Sequence, residues 1–215
     1  MFSLKNCLTL YAVTDSAQLT NCTIYEAVEQ ALKGGVTMLQ LREKSISAEE
    51  LVKEAVLVKE ITKKYGVPLI INDNVQAAMA VNADGVHLGQ GDMPVNEARK
   101  LLGKSAIIGK TVKTLGQALQ AKSDGADYLG AGAAFETATK KDTWVIDHSV
   151  YNEIVQSANI PIVAIGGITE DNAAQLSGTG IDGIAVVGAI FAQKNIFEAA
   201  VRMRAAAEKI KQTGC

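Results

Sequence analysis

The chain has only three cysteines in 215 residues, Cys7, Cys22 and Cys215. The count is odd, and no CxxC or Cys/His spacing accompanies it. That excludes a disulfide framework and a zinc site as organising devices. No apolar run approaches the ~20 residues that a membrane-spanning helix needs. The opening stretch MFSLKNCLTLYAV has one Lys, a short apolar run and no small-residue cleavage site, so it reads as a first strand and not as a signal peptide. Prolines number three, and no low-complexity segment or block of like charge interrupts the chain. A net charge of −2 gives no electrostatic case for a nucleic acid or a membrane as partner. A cytoplasmic location is the expectation that follows.

What is present is ordinary for a globular protein: 48% apolar and 20% charged residues. Short β-type runs alternate with amphipathic helical stretches from end to end. Strands are expected at 8–13, 37–41, 68–72, 84–88, 106–109, 127–131, 161–165 and 183–187. Helices are expected at 23–33, 47–65, 75–81, 95–102, 115–123, 150–158, 170–177 and 196–211. Ser47 followed by Glu50 forms a capping box at the head of the long second helix. The strands are nearly all apolar, as strands covered on both faces should be. Strict alternation and a count of eight point to one α/β domain over 1–215, a (β/α)8 TIM barrel. The irregular segment 132–147 is long for a βα loop, and such loops carry function or act as lids.

In that fold chemistry sits at the carboxyl ends of the strands. The stretch 70–92, IINDNVQAAMAVNADGVHLGQGD, places Asp73 and Asp92 just past two neighbouring strands. Taken singly, Asn-Asp and Gly-Asp are turn and cap formers. Taken together on one rim, the two carboxylates suit a hard cation such as Mg²⁺. The same rim collects Gln40, Arg42 and Lys44 after the second strand, Asn72 after the third and Gln90 after the fourth. Lys110, Thr111 and Lys113 follow the fifth strand, and Thr137, Thr139, Lys140, Lys141 and Asp142 follow the sixth. Arg42 offers a fork of donors, while Lys44 and Lys140 supply compact charge. Gly166–Gly167 and Gly188 let backbone N–H groups approach a phosphate, with a helix N-terminus behind them. His87 lies within an apolar run and reads as a core or supporting histidine. The rim suits a diphosphate, a divalent metal to neutralise it, and a second phosphorylated molecule.

Several motifs carry a family resemblance. YAVTD (11–15), QLREK (40–44), IINDN (70–74), GVHLGQGD (85–92), GADYLGAG (125–132), TATKKD (137–142), PIVAIGGI (161–168) and GIAVVGAIF (183–191) resemble thiamine-phosphate synthase in order and spacing. The resemblance spans nearly the whole chain. It implies a transferase that joins a hydroxymethylpyrimidine diphosphate to a hydroxyethylthiazole phosphate, releasing diphosphate and forming thiamine phosphate. By motif position, Asp73 and Asp92 would hold Mg²⁺. Arg42, Lys44, Asn72 and Lys140 would grip the diphosphate, and Gln40 would contact the pyrimidine. Thr137, Thr139, Gly167 and the Val187–Gly188 backbone would receive the thiazole phosphate. Thr111 takes the place of a serine hydroxyl in the family pattern.

Three other positions depart from that pattern. Lys113 stands where the family has histidine, Glu136 where it has proline, and Gly188 where it has serine. A thiazole tautomerase-like isomerase is the nearest alternative, and Glu136 leans that way. Such an isomerase uses a histidine in the strand-five loop and lacks the full metal and diphosphate set, so Asp73, Asp92 and Lys140 favour the synthase. A non-catalytic sensor of a thiamine precursor would need the phosphate glycines but neither Asp. The sequence leaves homo-oligomerisation open.

Overall fold

Each strand is short and nearly every strand residue is buried, as a sheet covered on both faces demands. The structure is a computed structural model, and it describes residues 3–137 and 144–212. In chain order the strands are β1 (Leu10–Val13), β2 (Met38–Leu41), β3 (Leu69–Asn72), β4 (Gly85–Leu88), β5 (Ile107–Val112), β6 (Tyr128–Ala131), β7 (Ile162–Ile165) and β8 (Gly183–Val186). Each pairs in parallel with the next, and β8 pairs with β1 to close the barrel. The expected (β/α)8 architecture is the one observed.

Period-2 alternation sorts the strand residues into two cores. Tyr11, Met38, Ile70, Tyr128, Val163 and Ala185 fill the barrel interior, with Leu8 beneath them. Their neighbours, among them Leu10, Ala12, Leu39, Leu41 and Ile71, face outward against the helices. Helix α1 (Leu4–Cys7) precedes β1. The crossovers carry α2 (Ile24–Lys33), α3 (Ala48–Tyr65), α4 (Val75–Ala80), α5 (Val95–Leu102), α6 (Leu115–Ser123) and α7 (His148–Ala158), and α8 (Gly188–Phe191) and α9 (Ile196–Gln212) follow β8. Two complete capping boxes start α2 and α3, Thr23 with Glu26 and Ser47 with Glu50. Such N-caps stabilise by about 0.5–2 kcal/mol each. Among the described residues no helix is long and apolar enough to cross a membrane.

Three local differences from the sequence reading have physical causes. Strand β5 does not stop at Gly109: Lys110, Thr111 and Val112 continue its ladder with Leu129, Gly130 and Ala131 of β6. The polar Lys-Thr pair looked like a rim, but a strand can hide both when each side chain finds a partner. The stretch expected as a helix at 170–177 is a 3-10 turn, Ala173–Leu176. Asn172 explains the difference. Its side chain accepts from Thr169 N at 2.8 Å and donates to Gly167 O at 2.8 Å, so it competes with helical pairing. No helix N-terminus therefore stands directly behind Gly166–Gly167. The four-residue helices α1 and α8 are too short to leave a periodic pattern.

Candidate functional site

Strand β3 hands its chain to α4 through a tight turn. Asn74 is the N-cap, accepting from Ala77 N at 2.9 Å. Asp73 takes a left-handed conformation, φ 59°, which Asp tolerates better than most side chains. Its N–H is held by His87 O of β4 at 2.9 Å. The turn carries the Asp73 carboxyl into hydrogen-bond contact with that of Asp92. Burial and the Asp92 carboxylate together push the Asp73 carboxyl up to about 6, against the opposing pull of Asn72 and Lys44. Asp92 also closes its own turn, since its Oδ2 accepts from Gly89 N at 2.6 Å. The turn-forming and cation-holding readings of this stretch are therefore compatible in geometry.

Among the described residues no group of three or more His, Cys, Asp or Glu side chains surrounds a potential metal position. Two touching carboxylates are nevertheless the donor set that Mg²⁺ takes from proteins, with phosphate oxygens and waters completing the octahedron. Burial first and the Asp92 carboxylate second raise the Asp73 pKa, and a divalent cation would offset the second, so the residues present fit the ion. Lys110 lies under the pair. Its Nζ donates to Gly89 O at 2.7 Å, its charge reaches Asp92 and Asp73, and burial draws its pKa down. Lys110 thus belongs to the scaffold of the Asp92 loop and not to the open rim.

Of the two described cations after β2, Lys44 lies close enough to Asp73 for their charges to interact. Arg42, at the end of β2, faces Asp15 with Nη1 to Oδ2 at 3.6 Å. Asp15 also accepts from Gln18 Nε2 at 2.9 Å. Glu43 ties the loops after β1 and β2 together, accepting from Thr14 Oγ1 at 2.7 Å and Ser16 N at 3.1 Å, and it also borders the recess beside Lys44. Lys44 is exposed and shares with Asp73, Asn72 and Asn74 a side recess of about 310 Å³.

The main cleft, about 460 Å³, opens at the carboxyl ends of the strands and is lined by Gln40, Arg42, Asn72, Thr111, Thr137 and Gly167, among others. Asn72 borders both the cleft and the recess. Asp73 borders only the recess, and Asp92 borders neither. On the opposite wall the backbone of Gly166, Gly167, Val187 and Gly188 is open to the cleft. Gly167 has φ 67°, and a Cβ there would lie 2.3 Å from Glu136 O, so no other residue fits without moving the β6–α7 loop. At Gly188 a Cβ would lie 2.8 Å from Gln18 Oε1. The space of a side chain at 188 is thus partly taken by the Gln18 amide. Lys113 also lines the cleft, and its Nζ stands 3.8 Å from the centroid of the Trp144 ring. Thr139, Lys140, Lys141 and Asp142 lie outside the described residues.

The floor of the cleft is a chain of hydrogen-bonded side chains. Gln40 Nε2 donates to Tyr11 OH at 2.7 Å, and Tyr11 OH meets Tyr128 OH at 2.8 Å. Tyr128 OH meets His87 Nδ1 at 2.9 Å, and His87 Nε2 meets Thr111 Oγ1 at 2.9 Å. His87 is therefore a buried, fully engaged ring, as its place in an apolar run suggested. Tyr11, Tyr128, Asp15 and Gln18 are polar groups of the site that reading the strand ends alone does not find. Their signal is parity: Tyr11 and Tyr128 occupy inward positions, where a hydroxyl needs a partner.

The sequence profile of a family described as thiamine monophosphate synthase matches residues 10–190. A thiamine-phosphate synthase of Ruminiclostridium cellulolyticum is 48% identical over 195 residues, covering 91% of this chain and 93% of that protein. One of Methanobrevibacter smithii is 46% identical over 188 residues, covering 87% and 90%. The solved structure of a thiamine phosphate pyrophosphorylase from Pyrococcus furiosus superposes with a TM-score of 0.89 at 39% identity, covering 97% of this chain and 99% of that one.

Proposed function

The chain belongs to the thiamine monophosphate synthase family, and from that premise we propose how its cleft makes thiamine phosphate from a pyrimidine diphosphate and a thiazole phosphate. The enzyme is a transferase of this family. The observation that carries the mechanism is the contact between the Asp73 and Asp92 carboxyls beside Asn72 and Lys44, with Arg42 on the wall of the cleft that Asn72 also borders. A pair of anions held together next to cations and an amide suits an anionic ligand with a bridging divalent ion. Bound Mg²⁺ would supply charge neutralisation on the departing diphosphate.

The protein's own residues would do the rest. Asp73 and Asp92 hold the ion, and Lys110 steadies the Asp92 loop through Gly89 O. Arg42 and Lys44 meet diphosphate oxygens, with Asp15 aiming the Arg42 fork. Lys140, by motif position, adds a further cation. Diphosphate departure leaves a pyrimidine-methyl cation, stabilised by electron donation from the ring amino group, and Gln40 contacts that ring. The barrier falls because donors are in place before charge develops; one such contact is typically worth about 10²–10³ in rate. The thiazole phosphate sits across the cleft, on Thr137 and the backbone of Gly167, Val187 and Gly188, with Thr139 joining them by motif position alone. That handle holds the thiazole nitrogen within reach of the cation. No side-chain nucleophile is required.

The test is release of diphosphate with both substrates present, with and without Mg²⁺. Release that needs both substrates and Mg²⁺, and that Asp92→Asn abolishes in a folded protein, supports the proposal. Full release in excess chelator overturns the metal assignment.

A further inference from the structure

Among the described residues, one continuous polar path runs through the mainly apolar barrel interior. Tyr11, Gln40, His87 and Tyr128 are all buried, at 1%, 2%, 6% and 0% exposure. They connect four different strands, and Thr111 on β5 brings in a fifth. Two further inward positions are vacated for them. A Cβ on Gly109 would lie 2.4 Å from Tyr128 Oη and 2.5 Å from His87 Nδ1, in the middle of their hydrogen bond. A Cβ on Gly130 would lie 3.0 Å from His87 Cε1.

Each member of the path has limited hydrogens, and that gives it a direction. Burial pushes both phenols well above the usual tyrosine range, so each keeps its single hydrogen. Gln40 spends an N–H on Tyr11. The Tyr11 hydrogen, buried, needs an acceptor, and Tyr128 Oη is in reach. The Tyr128 hydrogen then goes to His87 Nδ1, which must be the bare nitrogen of the ring. His87 carries its hydrogen on Nε2 and donates it to Thr111 Oγ1. Thr111 is left with its own O–H to offer to the cleft. At the other end Gln40 is left with its carbonyl oxygen and a second N–H. Both ends line the same cleft.

We propose that Gln40, Tyr11, Tyr128, His87 and Thr111 form a one-directional relay that fixes two points of the cleft, the way the Gln40 amide is turned, with its carbonyl oxygen left to accept, and the donor sense of Thr111. Tyr11, Tyr128 and His87 are positioning residues, since they act through the two ends. A planar ring seated on the Gln40 amide must bring a donor to its carbonyl oxygen. In one fixed pose, an amino group next to an unprotonated ring nitrogen matches the Gln40 carbonyl oxygen and remaining N–H; the corresponding oxo ring, with carbonyl and ring N–H, presents the opposite pattern. This substrate consequence rests on the synthase reading, whereas the relay itself does not.

The relay is tested in the ligand-free protein by nitrogen NMR of labelled histidine. The chain has two histidines, so His148→Gln leaves the His87 signals alone to be read. His87 is expected as a single tautomer with its hydrogen on Nε2. Gln40→Glu removes the N–H end: once the new carboxyl ionises it can only accept, so Tyr11, Tyr128 and His87 must all turn round. The hydrogen of His87 then moves to Nδ1 as the pH is raised to 9. In Gln40→Glu combined with Tyr128→Phe, the tautomer no longer follows that ionisation. An Nδ1–H tautomer in the parent protein overturns the relay. So does a tautomer that ignores Gln40→Glu up to pH 9, or one that responds equally without the Tyr128 hydroxyl. In turnover, Tyr128→Phe is expected to lower the preference for the aminopyrimidine diphosphate over its oxo analogue about tenfold, the size of one misdirected hydrogen bond. If the NMR result holds and the parent enzyme shows no such preference, the substrate reading fails and the relay stands.

Discussion

The carboxyl groups of Asp73 and Asp92 touch, though they come from turns after different strands and the backbone at Asp73 is left-handed to allow it. Two carboxylates in contact destabilise the metal-free protein at neutral pH. Asp73 takes up its proton at about 6 in the folded chain, above the ordinary value of 3.8. Its folded pKa is raised, so its contribution to stability is fully present below about pH 4 and is lost as pH rises through about 6. In chelator, Asp73→Asn should therefore melt higher than the parent at pH 7.5 and show little advantage at pH 4. Added Mg²⁺ should raise the Tm of the parent but not of the variant. Thermal melts at the two pH values, with and without the ion, check both statements.

Gly167→Ala should damage the second-substrate wall. The backbone there has φ 67°, which costs an L-residue about 1–2 kcal/mol, and the new Cβ would meet Glu136 O. The β6–α7 loop must shift, and it carries Thr137. The expected result is a Tm lower by several degrees and a KM for the thiazole phosphate raised about tenfold, with the KM for the pyrimidine diphosphate little changed. Equal increases in both would show that the two substrates do not use separate walls.

The barrel was legible in the sequence because its signals are local and repeated. The capping box at Ser47 and the eight apolar runs each mark an element without knowledge of the rest. The Asp73–Asp92 pair was legible for a related reason: both lie one short turn beyond adjacent strands, and topology does the rest. Lys110 was misplaced because its role depends on Gly89 O, 21 residues away, which no local pattern encodes. The Tyr11–Tyr128 contact, separated by 117 residues, is of the same kind. Asn172 replaced a helix with a 3-10 turn by bonding backward to Thr169 and Gly167, a choice that its neighbours' periodicity does not reveal.

Gly188→Ser should show whether the Gln18 amide stands in for a missing side chain. The new Cβ would lie 2.8 Å from Gln18 Oε1, the far end of a flexible side chain, so Gln18 should move aside at little cost in stability. Moving it breaks its 2.9 Å contact with Asp15, which faces Arg42. The variant is expected to bind thiazole phosphate more tightly, through the added hydroxyl, and pyrimidine diphosphate more weakly. Gln18→Ala should reproduce only the second change. Steady-state KM values for each substrate in the two variants separate the effects.

Glu136 lines the cleft beside Thr137 and brings a negative charge to the wall where the thiazole phosphate is expected. Its side chain is exposed, so water and salt weaken its effect on a bound phosphate but do not abolish it. For a doubly charged phosphate about 8 Å away in a water-like dielectric, removing one charge is worth about two- to fivefold in affinity at low ionic strength, and most of that is screened by about 0.5 M salt. Glu136→Gln should lower the KM for thiazole phosphate by that factor at low salt and leave kcat unchanged, because the charge lies away from the departing diphosphate. The benefit should fade as salt is added. It should also be absent for the unphosphorylated thiazole alcohol, which has no charge for Glu136 to repel. Equal improvement for the alcohol and the phosphate would mean that Glu136 acts through loop packing and not through its charge.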